Sequence, residues 1–149
     1  MNIAETRQQL LKDVQHIRQT VETELGTFSA EQLLWKPSPE RWGILECLAH
    51  LNAASQYYTN QLKLKLTQFP LRSAATDFEM SFNGKIMLSF VDPTSPRKIP
   101  SPSMFKPKPY QLDAPRVMSK YFDILQDLEE ALRNSEGLDW NQKIISPFT

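Results

Sequence analysis

Residues 42–66 read WGILECLAHLNAASQYYTNQLKLKL. Within them Ile44, Leu48, Leu51, Ser55, Tyr58, Leu62 and Leu66 recur at three- and four-residue spacing, the period of a single helix face. Pro37 and Pro39 keep the approach out of the helix, and Pro70 stands just past its end. The spacing therefore predicts a long helix from about Trp42–Gly43 to about Gln68.

Proline placement extends this reading along the chain. Residues 1–36, 40–69 and 116–146 contain none, whereas seven of the eleven prolines fall between 93 and 115. Three helical windows are thus separated by one long extended segment. The first window carries Leu10, Val14, Ile17, Val21 and Leu25 and predicts a helix over about 3–25, with Gly26 placed for a left-handed cap. The last opens at Asp113-Ala114-Pro115, an acidic cap followed by proline in the first turn. It carries Val117, Tyr121, Leu125, Leu128 and Leu132 toward Gly137. A shorter helix is suggested by Phe78, Phe82, Ile86 and Phe90, weakened by Gly84. No strand-like alternation competes with these stretches, so the expected fold is all-α in a single domain over 1–149.

Composition excludes several function classes. The chain has 149 residues, 40% of them apolar, with 17 basic and 17 acidic side chains. Zero net charge removes the usual electrostatic argument for a nucleic-acid or acidic-lipid partner. A single cysteine, Cys47, leaves no disulfide framework and no Cys-rich zinc module. No apolar run reaches the roughly 18 residues of a membrane span, and the first residues lack a secretory pattern. A cytoplasmic, reduced setting is the expectation. Arg97, Lys98, Lys106 and Lys108 make the crossover basic, which reads as an anion-recruiting loop or as solubility for a proline-stiffened segment.

Few residues offer chemistry. His50 points roughly 110° from the centre of the apolar stripe, on its shoulder, with Cys47 one turn back and Ala54 and Tyr57 one and two turns ahead. A shoulder imidazole can enter a groove between helices and join a metal or ligand site, or it can be a half-buried histidine bonded to one polar neighbour. Cys47 with His50 could hold a soft metal or form an activated thiol, or Cys47 can simply pack. His16, among Asp13, Gln15 and Gln19, reads as solvent-facing. Trp35 and Trp42 read as clamps holding the interhelical loop onto the bundle. Glu46, like most carboxylates here, reads as solvated charge, and no catalytic residue can be named.

The stretch Leu34-Trp35-Lys36-Pro37 through Trp42-Gly43-Ile44-Leu45-Glu46-Cys47-Leu48-Ala49-His50-Leu51 resembles the signature of the DinB-like superfamily. Asn83-Gly84-Lys85, the proline-rich 100–107 and the helix from Asp113 are similar to that family's crossover and third core helix. The resemblance implies an up-and-down four-helix bundle in which the second-helix histidine, here His50, is one of three ligands to a divalent metal such as nickel or zinc. It implies metal-dependent hydrolysis or thiol transfer in some relatives, and frequent homodimers.

Two departures stand out. Gly43 occupies a position where the family often has serine. The two further histidines of the family's last core helix have no counterpart, and residues 138–149 read as the linker into such a helix, so either the sequence stops short or the helix is lacking. With one shoulder imidazole, no complete metal site is expected within these residues. Three long amphipathic helices would also leave an apolar seam, the expected surface of a homodimer. The competing reading is a non-enzymatic bundle that dimerises or binds a small apolar ligand beside His50, Ala54 and Tyr57.

Overall fold

The computed structural model describes residues 1–68, 75–96 and 100–141. Among them the chain forms five α-helices and no named strand: α1 (Ile3–Leu25), α2 (Ala30–Leu34), α3 (Ile44–Leu66), α4 (Phe82–Val91) and α5 (Ala114–Asn134). The all-α expectation holds, and the three long helices begin and end close to where the proline-free windows place them. Asn2 caps α1 by accepting the Glu5 amide, and Asp113 caps α5 by accepting the Arg116 amide at 2.9 Å. None of the helices is long and apolar enough to cross a membrane.

α5 is the central element, with α1 and α3 each packed on it and little contact between those two. One core cluster joins Leu33, Leu45, Leu48, Ala114 and Val117; a second joins Val14, Leu125 and Leu132. The contacts fix directions. Asn52 meets Val117 and Lys63 meets Asp127, so α3 and α5 run parallel. Arg7 meets Glu136 and Arg18 meets Phe122, so α1 runs antiparallel to α5. The long helices are ordered up, down, down, because the extended crossover carries the chain back to its starting end.

Several local expectations are corrected. Gly26 is right-handed at φ −64°; the left-handed glycine is Gly137 at φ 75°, just beyond α5. A side chain at Gly26 would strike the Glu22 carbonyl, so close approach rather than handedness favours glycine there. α4 starts at Phe82 rather than Phe78, with Ser81 capping it through the Gly84 amide. Phe78 lies in an extended stretch that pairs with the N-terminus, where Asn2 bridges Asp77 and the Met1 ammonium donates to the Phe78 carbonyl. α2 was unexpected, although its reciprocal cap between Ser29 and Gln32 is written in the sequence.

The described part of the C-terminal stretch is packed rather than a free linker. Leu138 is buried, Trp140 stacks on Phe78 with ring centres 5.5 Å apart, and the Asn141 side chain bonds the backbone of Asp77 and Glu79. Residues 142–149 lie outside the described residues.

The apolar stripes are only partly used. On α3 the buried positions are Leu45, Leu48, Asn52 and Thr59, a line rotated from the predicted one, and Leu51 is left 42% exposed. On α1 Val14 is buried while Leu10 and Ile17 are exposed. Leu51 and Ile17 each stand three residues beyond a buried position, about 60° round the helix. Both therefore stay open to solvent, one on each side of the bundle's central helix. α4 buries no residue at all, leaving Phe82, Leu88 and Val91 in solvent.

Candidate functional site

The neighbourhood of His50 is built by the crossover. Pro100, Pro102 and Pro107 favour extended backbone, and between them Ser103–Phe105 makes one 3₁₀ turn closed by the Phe105 amide on the Pro102 carbonyl, 3.0 Å. The turn presses Phe105 onto α3, where it is 4% exposed and meets the Tyr57 ring edge-on at 6.0 Å. The groove expected beside His50, Ala54 and Tyr57 is therefore filled by the chain itself. The crossover supplies an aromatic plug that periodicity within α3 cannot reveal.

His50 is half-buried and engaged on one side. Its Nδ1 lies 3.0 Å from the Phe105 carbonyl oxygen and 3.3 Å from Ser101 Oγ. A carbonyl oxygen can only accept, so Nδ1 carries the proton and donates it. The Ser101 hydroxyl donates to the Pro102 carbonyl at 3.3 Å, which turns a lone pair of its oxygen toward the same Nδ1–H. Both partners thus select one neutral tautomer, and Nε2 keeps its lone pair. The same geometry gives no activated serine, because Nδ1 is not the base that Ser101 would need. The Trp42 ring completes the surroundings, 5.2 Å from the imidazole centre and tilted 45° to it.

The other sequence candidates fare differently. Trp35 is 67% exposed, which does not suit a clamp, while Trp42 packs on His50 and so holds the loop before α3 against that helix. His16 is exposed, as its neighbours suggest. Cys47 is an exposed residue, and partial desolvation of its thiol by the neighbouring chain, followed by the charge of Glu46, raises its pKa from the ordinary value. An activated thiolate is disfavoured there. Of the basic crossover residues, Lys106 is exposed and Lys108 sits over the Tyr110 ring at 5.8 Å. Arg97 and Lys98 lie outside the described residues.

Glu46 is the clearest departure from expectation. Its Oε2 accepts the Gly43 amide at 2.9 Å and its Oε1 accepts Lys36 Nζ at 2.9 Å, with only 14% of the side chain exposed. Desolvation pushes its pKa up, but the Gly43 amide, the Lys36 hydrogen bond and the Lys36 charge together outweigh it and hold the carboxyl below its ordinary value. The Gly43-x-x-Glu46 spacing carried the signal. With glycine at the cap, the glutamate's half of a capping box remains and no hydroxyl returns the bond.

A divalent ion needs about three protein donors. Among the described residues no group of three or more His, Cys, Asp or Glu side chains is close enough to hold one. Residues 69–74, 97–99 and 142–149 contain none of these four residue types. The residues present do not fit a complete metal centre; what they provide is one oriented imidazole.

The sequence model of one family, described as the DinB superfamily, matches residues 13–149. No curated protein and no solved structure matches the chain.

Proposed function

Because the chain belongs to the DinB superfamily, we propose that it is a helical scaffold presenting His50 as one nitrogen donor to a divalent cation, with the remaining donors coming from outside these residues. The observation that supports this is the bond from His50 Nδ1 to the Phe105 carbonyl. Metal-binding histidines are commonly held in this way, with the second ring nitrogen tied to a carbonyl so that the first is fixed in direction and basicity. Once completed by nickel or zinc, such a site would serve metal-dependent hydrolysis or thiol transfer, in a cytoplasmic setting.

The test is calorimetric titration of the purified chain with zinc and with nickel, beside a His50→Ala variant. One imidazole gives weak binding that disappears on substitution. Tight stoichiometric binding that survives His50→Ala contradicts the reading.

A second reading rests on the exposed apolar side chains of Leu10, Ile17 and Leu51. It is a non-enzymatic bundle that pairs with a second copy through such side chains. Light scattering across a concentration series tests it: a dimer that Ile17→Asp or Leu51→Asp dissociates supports pairing, and a strict monomer rules it out.

A further inference from the structure

We propose that a pocket at the head of α3 binds a small uncharged alcohol or phenol, through a hydroxyl that bridges the Lys36–Glu46 ion pair. The pocket, about 230 Å³, lies between α2, the first turn of α3 and the 3₁₀ turn at Pro109–Gln111. Leu33, Leu34, Leu45, Pro109 and Leu112 form its apolar walls. Leu33 and Leu45 belong to the packed core, whereas Leu34 is left 46% exposed. The volume exceeds the roughly 150 Å³ cavity that accepts benzene and falls short of the roughly 300 Å³ at which drug-sized pockets begin. It therefore suits one ring with a short polar arm.

The polar side of the pocket selects the head group. The charged side chains lining it are Lys36 and Glu46, which neutralise each other at 2.9 Å. A pair without net charge gives an ionised head group little return for the hydration it loses on entering, and this holds for a carboxylate and an ammonium alike. Yet the pair is not saturated. The Lys36 ammonium has three donors, and among the described residues one is used, on Glu46. The Glu46 carboxylate has about four acceptor sites, of which Lys36 and the Gly43 amide take two. A wholly apolar ligand would strip water from the remaining sites and leave them unmet. A hydroxyl meets both partners at once: its oxygen accepts from Nζ, its proton goes to the carboxylate, and the ion pair stays intact. None of these residues is among the contacts of His50, so the inference stands apart from the cation reading.

The experiment is a titration of ¹⁵N-labelled protein with benzyl alcohol, followed in amide correlation spectra, with benzoate and benzylamine as parallel arms. Benzyl alcohol is expected to move the amides of Gly43, Leu45, Glu46 and Leu112 with a Kd on the order of 1 mM, as suits a ligand of so few atoms. Both charged analogues are expected to bind at least about tenfold more weakly. Removing either charge should turn that order. Glu46→Gln leaves Lys36 without its counter-charge and should strengthen benzoate severalfold, while Lys36→Met should do the same for benzylamine. Leu112→Trp, which fills the cavity, should abolish binding of all three. Retained amide dispersion establishes that each variant is folded. Should a charge variant not fold, the order of the three ligands on the native chain and the effect of Leu112→Trp decide the matter. Benzoate or benzylamine binding the native chain as well as benzyl alcohol would overturn the proposal. So would a ligand order unmoved by folded charge variants, shifts confined to other parts of the bundle, no shifts at all, or binding untouched by Leu112→Trp.

Discussion

The imidazole of His50 and the carbonyl of Phe105 lie 3.0 Å apart although 55 residues separate them in sequence. The bond joins the second turn of α3 to the crossover, and the Phe105 ring packs nearby against Tyr57. Truncating that ring removes a buried aromatic and leaves a hole under the crossover. Phe105→Ala is expected to lower unfolding stability by about 3 kcal/mol. Urea denaturation checks it; a loss under about 1 kcal/mol would mean that the crossover is not anchored there.

Asn52 gives a sharper contrast. It is 4% exposed; its Nδ2 donates to the Val117 carbonyl at 2.9 Å, and its Oδ1 is buried without a partner among the described residues. Leucine has the same branched shape and removes the unsatisfied acceptor at the cost of a modest gain in volume, so Asn52→Leu is expected to change stability by less than about 1 kcal/mol. Asn52→Asp buries a charge with no cation beside it and is expected to cost about 3 kcal/mol or more. Chemical denaturation of the pair measures both, and a leucine variant destabilised beyond that would assign Asn52 a structural role beyond its one hydrogen bond.

The predicted face of α3 and the buried one differ by part of a turn, and two leucines measure the difference. Leu45 is 1% exposed, whereas Leu51 is half-open to solvent. Leu45→Ala is expected to cost about 3 kcal/mol and Leu51→Ala under about 1 kcal/mol in a monomer. Similar losses at both would place a further packed surface against Leu51.

That pair of leucines also marks how far the sequence could be read. α1, α3 and α5 were legible because proline-free windows and an apolar period coincide in each, and Asp113-Ala114-Pro115 announces its helix. Periodicity reports the width of an apolar face, but not which part of it a neighbour covers. It could not place Asn52 inside, because that depends on a carbonyl of α5. The five residues of α2 are too few to show a period, though Ser29 and Gln32 spell its cap. His50 was found from α3 alone; Ser101, Phe105 and the tautomer they select come from a crossover whose path no local pattern specifies.

Glu46 couples stability to acid. Its carboxyl sits below the ordinary value of about 4.3 in the folded chain, so its contribution is complete above that pH and is lost as pH falls through the lower folded value. Unfolding midpoints measured from pH 6 downward should fall more steeply below about pH 4.5 for the native chain than for Glu46→Gln. Lys36→Met should remove part of that difference, leaving the share due to the Gly43 amide. Identical pH profiles for native protein and Glu46→Gln would mean that the ion pair and cap are not formed in solution.

The central claim, that His50 is held as an Nδ1–H tautomer with Nε2 available as a donor, is tested most directly by two-bond ¹H–¹⁵N correlation of its ring. At a pH where the ring is neutral, Nδ1 is expected to carry the proton, and substoichiometric nickel should broaden signals at Nε2 of His50 first. A ring protonated at Nε2, or nickel acting at Nδ1, would contradict the account.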